Sequence, residues 1–178
     1  EDGQRAMRIV RAHAAEWGLN PNKIGIAGFS AGGHMAASVS VCYDRKVYEP
    51  DDDMDTVSAR PDFSILGYPV ISMLDEYAHI GTKKRLFGKD VKPTQAQMER
   101  YSTELFVNEK TPPAFVFCAE DDDVVPAINS IRYADALRKH NVPVELHVFS
   151  FGKHGFGIGS KLKTSAKDWS TVCEGWLR

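Results

Sequence analysis

The stretch Gly28-Phe29-Ser30-Ala31-Gly32 limits what this chain can fold into more than any other. It has the form G-x-S-x-G, a sharp turn that carries a serine from the end of a strand into the start of a helix. The flanking residues fit. Lys23-Ile24-Gly25-Ile26-Ala27 reads as a short inner strand with apolar side chains for both faces, and His34-Met35-Ala36-Ala37-Ser38 opens a helix of small or helix-tolerant residues. A serine on so tight a turn has strained backbone angles, and side chains at Gly28 or Gly32 are expected to collide with neighbouring chain. The same turn aims the Ala31 N–H, at the positive end of the helix, toward a carbonyl under attack. Ser30 is therefore the candidate nucleophile and Ala31 a candidate oxyanion donor.

The rest of the chain supplies the sheet around that turn. Residues from Asp2 onward form a helix whose stripe Ala6, Ile9, Val10, His13, Ala14 and Trp17 is expected to face inward, with Arg5, Arg8 and Arg11 outside and Gly18 as the stop. Phe63 to Tyr68 reads as a second inner strand ended by Pro69. Ala114 to Ala119 is apolar without alternation, as in a central strand covered on both faces. Val144 to Phe149 alternates, with Glu145 and His147 opposite Val144, Leu146 and Val148, as an edge strand should; His147 is expected at the surface. A helix over 127–140 points Ile128, Ile131, Ala134 and Leu137 inward. The last helix, from about Ala166, buries Trp169, Val172, Cys173 and Trp176. Residues 70–105 read as loops and short helices lying over a site, where Leu86, Phe87 and Met98 either line an acyl pocket or are ordinary packing. These elements make an α/β chain of one domain, 1–178, with a mostly parallel sheet of about four strands flanked by helices.

Composition removes several functions. A net charge of -2 gives no attraction to nucleic acid or to an anionic membrane surface, and no apolar run reaches the length of a membrane span. Cys42, Cys118 and Cys173 are scattered and odd in number, which reads as buried thiols. The acidic run Asp51-Asp52-Asp53-Met54-Asp55 has Thr56 where a calcium loop needs glycine, so it reads as a solvated loop. No histidine pair has ligand spacing, and neither metal nor cofactor is implied. His13 is expected to face solvent or a helix edge. Any targeting peptide would precede residue 1, so these residues assign no compartment.

Three chemical groups follow three strand ends in the order Ser30, an aspartate among Asp121, Asp122 and Asp123, and His154, which sits in the glycine-flanked loop Phe151-Gly152-Lys153-His154-Gly155-Phe156-Gly157. Serine is a weak nucleophile at neutral pH, so a base must take its proton, and a carboxylate must fix the tautomer of that base. The order Ser…Asp…His is that of the α/β-hydrolase fold.

The chain resembles the acetyl-esterase and acetylxylan-esterase-like branch of the α/β-hydrolases, a group that also takes in feruloyl-esterase-like proteins. The matching segments run through Ile24-Gly25-Ile26-Ala27-Gly28-Phe29-Ser30-Ala31-Gly32-Gly33-His34, Arg60-Pro61-Asp62-Phe63, Tyr68-Pro69-Val70-Ile71-Ser72, Thr111-Pro112-Pro113-Ala114-Phe115, Asp122 to Pro126 with Asn129-Ser130, and Gly152 to Gly157. The resemblance places the acid four residues before Pro126, at Asp122, and leaves Asp121 and Asp123 solvated or capping. It implies a serine carboxylesterase for short acyl esters, with acetylated xylan-derived carbohydrate among the candidate substrates, a small ester as substrate and no cofactor. Relatives also carry strands and a His-Gly-Gly-type oxyanion loop ahead of the matched region, so these residues correspond to the C-terminal half of the fold. The outer edge of the Lys23 strand is then expected to lack a partner, which predicts a homodimer or association through that edge. A related serine peptidase, and a fragment without turnover, are the competing expectations.

Overall fold

The computed structural model describes residues 1–74 and 76–178. Its centre is a sheet of four parallel strands, β1 (Ile26–Phe29), β2 (Ser64–Gly67), β3 (Ala114–Ala119) and β4 (Val144–Phe149), ordered β1-β2-β3-β4. Register is continuous: Ile26 pairs Ser64, Ser64 pairs Ala114, and Ala114 pairs Val144. Because all strands run the same way, their C-terminal ends form one rim, where open α/β sheets place their chemistry. The helices are α1 (Asp2–Ala12), α2 (Ala31–Cys42), α3 (Ile80–Phe87), α4 (Gln95–Arg100), α5 (Ile128–Lys139) and α6 (Trp169–Leu177).

Every residue of β3 is buried, as its unbroken apolar run requires. On one face Leu66, Val116 and Leu146 pack with Ala36 and Val41 of α2 and with Tyr133 and Leu137 of α5. On the other, Phe117 stacks on Trp169 of α6 with ring centroids 4.1 Å apart, and Trp176 packs on Phe115. Burying such a side chain contributes about 1.5–3 kcal/mol.

β1 begins at Ile26, where the expected strand spans 23–27, and its faces are not both buried as expected. Its outer edge lacks a partner strand among the described residues, as expected. The strand lies at the sheet margin, and Ala27 and Phe29 are exposed, although the Phe29 ring meets Trp169 of α6 edge-on with centroids 6.0 Å apart. Four other expectations shift. In α1 the buried side is Gln4 and Met7 with Val10 partly covered, while Ala6 is exposed. Gln4 turns inward because its Nε2 donates to the carbonyls of Cys42 and Arg45 where α2 ends. The helix stops at Ala12, so Trp17 leaves the stripe and is exposed, and half-exposed His13 stacks on it. In α5 the buried stripe is Asn129, Ser130, Tyr133, Ala134 and Leu137, with Ile128 and Ile131 only partly covered. Val172 of α6 is exposed, and His147 is half-buried, bonded to Glu145 and stacked against Phe149.

The acidic segment is no free loop. Arg5 reaches both Asp52, at 2.7 Å, and Asp55, at 2.8 Å, and the Asp55 side chain is only 2% exposed. The Asp51 N–H, the Tyr48 hydroxyl and Arg5 together hold the Asp55 carboxyl well below the usual carboxylate range. The arginines that sequence periodicity leaves outside thus clamp α1 to residues 51–55.

Asn129 joins α5 to the rim. Its Oδ1 accepts from the N–H groups of Ile71 and Ser72, at 3.0 and 2.9 Å, and its Nδ2 donates to the carbonyls of Tyr77 and Pro126. It is fully buried, so removing it leaves several buried polar groups unpaired. Asn129→Ala is expected to lower stability by about 2–4 kcal/mol, read as a fall in the urea midpoint. An unchanged midpoint would mean that these groups find other partners.

Candidate active site

Ser30 follows β1 directly and is forced into a backbone conformation that non-glycine residues rarely adopt, φ 54° and ψ -120°. Three bonds hold it there: Ser30 N–H donates to the Gly67 carbonyl, Val70 N–H donates to the Ser30 carbonyl, and the His34 ring bonds the Val70 carbonyl at 3.2 Å. Burial keeps the His34 imidazole below its ordinary 6.5, against the pull of that carbonyl. The glycines divide their work differently from the expectation. A Cβ at Gly28 would lie 2.2 Å from the Gly32 carbonyl oxygen, and one at Gly33 would meet Pro69 at 2.7 Å, so both must be glycine. A Cβ at Gly32 meets nothing within 4 Å; the expected collision there is absent, because that position faces open space.

The structure brings Ser30, His154 and Asp122 together from three strand ends. Ser30 Oγ lies 2.8 Å from His154 Nε2, and His154 Nδ1 lies 2.7 Å from Asp122 Oδ2. Asp122 Oδ1 accepts from the N–H groups of Val124 and Val125, at 2.9 and 2.8 Å, so both carboxylate oxygens are occupied. The Asp122 side chain is fully buried and that of His154 is 17% exposed. A carboxylate so placed fixes the proton on Nδ1 and leaves Nε2 as an acceptor toward the serine. Ala31 is the first residue of α2, where a backbone N–H has no partner within the helix, and it lines the cleft beside Ser30.

Two supporting residues escape sequence reasoning. Asp121, expected to be solvated or capping, instead accepts at one oxygen from the N–H groups of Gly152 and Lys153, both at 2.8 Å, and so fastens the loop that carries His154. Those two bonds lower its carboxyl below the ordinary 3.8. Tyr68 packs its ring edge-on against His154, with centroids 5.1 Å apart, and accepts from the Gly157 N–H through its hydroxyl. In sequence Tyr68 is only the end of a strand, and Asp121 one of three consecutive aspartates; nothing local distinguishes them. Asp123 is exposed, with only a 3.8 Å pair to Lys153.

A cleft of about 570 Å³ opens over Ser30, with Ala31, His79, Gly81, Thr82, Arg85 and Leu86 along its walls. The alternatives for the apolar trio divide. Leu86 lines the cleft, whereas Phe87 and Met98 pack with Val70, Met73 and Val125.

The BD-FAE family model matches residues 1–137. The chain belongs to the BD-FAE family. Among relatives, it is 38% identical over 164 residues to the acetylxylan esterase of Xylanibacter ruminicola, covering 91% of this chain and 32% of that protein. It is 37% identical over 160 residues to the endo-1,4-beta-xylanase B of Butyrivibrio fibrisolvens, covering 90% of this chain and 25% of that protein. Among solved structures, the acetyl ester-xyloside bifunctional hydrolase of Caldicellulosiruptor lactoaceticus superposes with a TM-score of 0.91 at 43% identity, over 99% of this chain and 63% of that one. The chain thus spans a quarter to a third of these curated relatives. Its sheet is part of an α/β-hydrolase arrangement, and the BD-FAE match includes Ser30, Ala31 and Asp122, while His154 lies past it.

The Asp121 clamp generates a prediction for this BD-FAE chain. A carboxyl whose pKa is lowered by folding adds stability that is present above its unfolded value, near 3.8, and is lost as pH falls through the lower folded value. In Asp121→Ala the amides of Gly152 and Lys153 are expected to exchange hydrogen several-fold faster than in the parent at neutral pH. On acidification through the carboxylate range the parent should approach the variant. Equal exchange in both at neutral pH would show that the loop is held by other contacts.

Proposed function

We propose that this chain carries the reacting centre of a serine carboxylesterase for short, acetyl-type acyl esters, with Ser30 as nucleophile, His154 as general base and acid, Asp122 as the orienting carboxylate and Ala31 N–H as an oxyanion donor. The observation that carries the proposal is the hydrogen-bonded series Ser30 Oγ, His154, Asp122, closed at its buried end by the amides of Val124 and Val125. The names of the relatives, acetylxylan esterase and acetyl ester-xyloside hydrolase, support the acetyl-type ester as substrate.

In the proposed cycle Ser30 Oγ attacks the ester carbonyl carbon while its proton passes to His154 Nε2. The imidazolium is stabilised by Asp122, and the carbonyl oxygen, now an oxyanion, sits at the Ala31 N–H and the N-terminus of α2. Collapse breaks the carbon–oxygen bond of the ester, and the alcohol leaves with the proton from His154. A water molecule, deprotonated by His154, then attacks the acyl-serine and releases the carboxylic acid, restoring Ser30. In the same reading, residues 70–105 cover the site through α3, within one domain over 1–178.

In this reading the working form pairs the edge of β1 with a second copy, an arrangement supported by the place of β1 at the end of the sheet, with no strand beside its outer edge among the described residues. A dimer by sedimentation, with the β1 amides protected from exchange, is the expected result. A monomer whose β1 amides exchange freely would remove the second copy from the proposal. Among the described residues no helix is long and apolar enough to cross a membrane.

The deciding experiment compares turnover of a chromogenic acetate ester by the purified chain with that of Ser30→Ala and Asp122→Asn prepared identically. Loss of at least about 10³-fold in each variant is expected. Equal, background-level rates in all three would favour a folded remnant without turnover.

A further inference from the structure

α3 borders the cleft with hydrogen-bond donors, and one of them is an arginine that has no partner among the described residues. Of the chain's arginines, Arg5, Arg11, Arg132, Arg138 and Arg178 hold carboxylates. Arg8 and Arg60 bond backbone carbonyls, and Arg45 and Arg100 lie against aromatic rings. Among the described residues only Arg85 makes no ion pair, hydrogen bond or ring contact, and it lines the cleft that opens at Ser30. A guanidinium kept beside a reacting centre without an anion of its own is suited to bind one brought by the substrate, through two parallel N–H bonds.

The neighbouring histidine has its proton placed to help. His79 Nδ1 accepts from the Thr82 N–H at 3.3 Å and lies 2.9 Å from the Thr82 hydroxyl, so in the neutral ring the proton is on Nε2. Burial above all, with the Arg85 charge beside it, holds this imidazole below its ordinary 6.5 against the pull of Asp122. The α3 side of the cleft is therefore lined by the His79 imidazole and Arg85, and among the described residues no carboxylate lines it. The charge continues past the helix. On the far side of α3 a groove of about 630 Å³ is lined by Lys83, Lys84, Lys89 and Lys92 against the single carboxylate Asp90, with Ile80 and Val91 exposed beside them. This concentration of cations stands out on a chain whose net charge is -2.

We propose that α3 forms a carboxylate subsite beside Ser30, in which Arg85, assisted by His79, binds an anionic group on the alcohol portion of the ester. The inference rests on the esterase reading: an acetyl-type acyl group carries no charge, so the anion belongs to the alcohol. The substrate class is then an acetylated, carboxylate-bearing alcohol such as a uronate-containing saccharide, whose further carboxylates would meet the lysines beyond α3.

The test uses phenyl acetate and 4-acetoxybenzoate, which share an acyl group and differ by one carboxylate. Arg85→Gln is expected to lower the ratio of kcat/KM for 4-acetoxybenzoate to that for phenyl acetate about tenfold, through KM, with Arg85→Lys recovering part of it and added salt eroding it in the parent. An unchanged ratio in Arg85→Gln would overturn the proposal. A second measurement does not need turnover. Binding of 4-acetamidobenzoate to Ser30→Ala, followed by NMR shifts of the α3 amides, should be lost in Ser30→Ala combined with Arg85→Gln. Binding indifferent to Arg85 would equally overturn the subsite. Absence of phenyl acetate turnover with binding retained would instead count against the esterase reading alone.

Discussion

The arrangement depends on β3 being buried on both faces and hydrogen-bonded on both edges. Pinned between β2 and β4, and packed by α5 on one side and Trp169 on the other, it ends at Ala119 in a fixed place. Three residues further on, Asp122 is held by the amides of Val124 and Val125 and withdrawn from solvent. A buried carboxylate needs partners for its oxygens, because an unpaired charge in a dry site costs several kcal/mol. The amides satisfy one oxygen of Asp122 and His154 the other, so the imidazole is drawn to one position over the sheet rim.

That single position fixes much of what surrounds it. The loop 150–157 reaches His154 from β4 and is fastened at its start by Asp121 and at its end by the Tyr68 hydroxyl. Ser30 meets the ring from the opposite side only because its backbone is held at a strained positive φ, by bonds to Gly67 and Val70 and by the close approach of Gly28 and Gly33 to neighbouring chain. The strain is confined to one residue and opposed by a rigid frame, which is how such conformations persist. Asn129 ties the segment after β2 to α5 and completes that frame.

The substrate side is built differently. α3 belongs to the connection between β2 and β3, and with His79 just before its first turn it lines the cleft through Arg85 and Leu86. The side chains that line this wall of the cleft thus sit on a connecting segment, while Ser30, Asp122 and His154 sit at strand ends. Loops that carry specificity over a fixed scaffold can vary without disturbing the sheet. The cationic face of α3 fits that division of labour.

By itself the sequence determined the strands, their order in chain and the parallel class of the sheet, because unbroken apolar runs and punctuating glycines and prolines are local signals. It also singled out Ser30 and His154, since each sits in a glycine-bounded turn with a recognisable spacing. Tertiary structure decided the rest. Which helix positions are buried depends on neighbours: Gln4 turns inward to reach Cys42 and Arg45, and Trp17 turns out because α1 ends five residues earlier. Asp121 and Asp122 are adjacent and chemically identical in sequence. Only the fold sets one to clamp a loop and the other to hold an imidazole, because that difference lies in residues some thirty positions away.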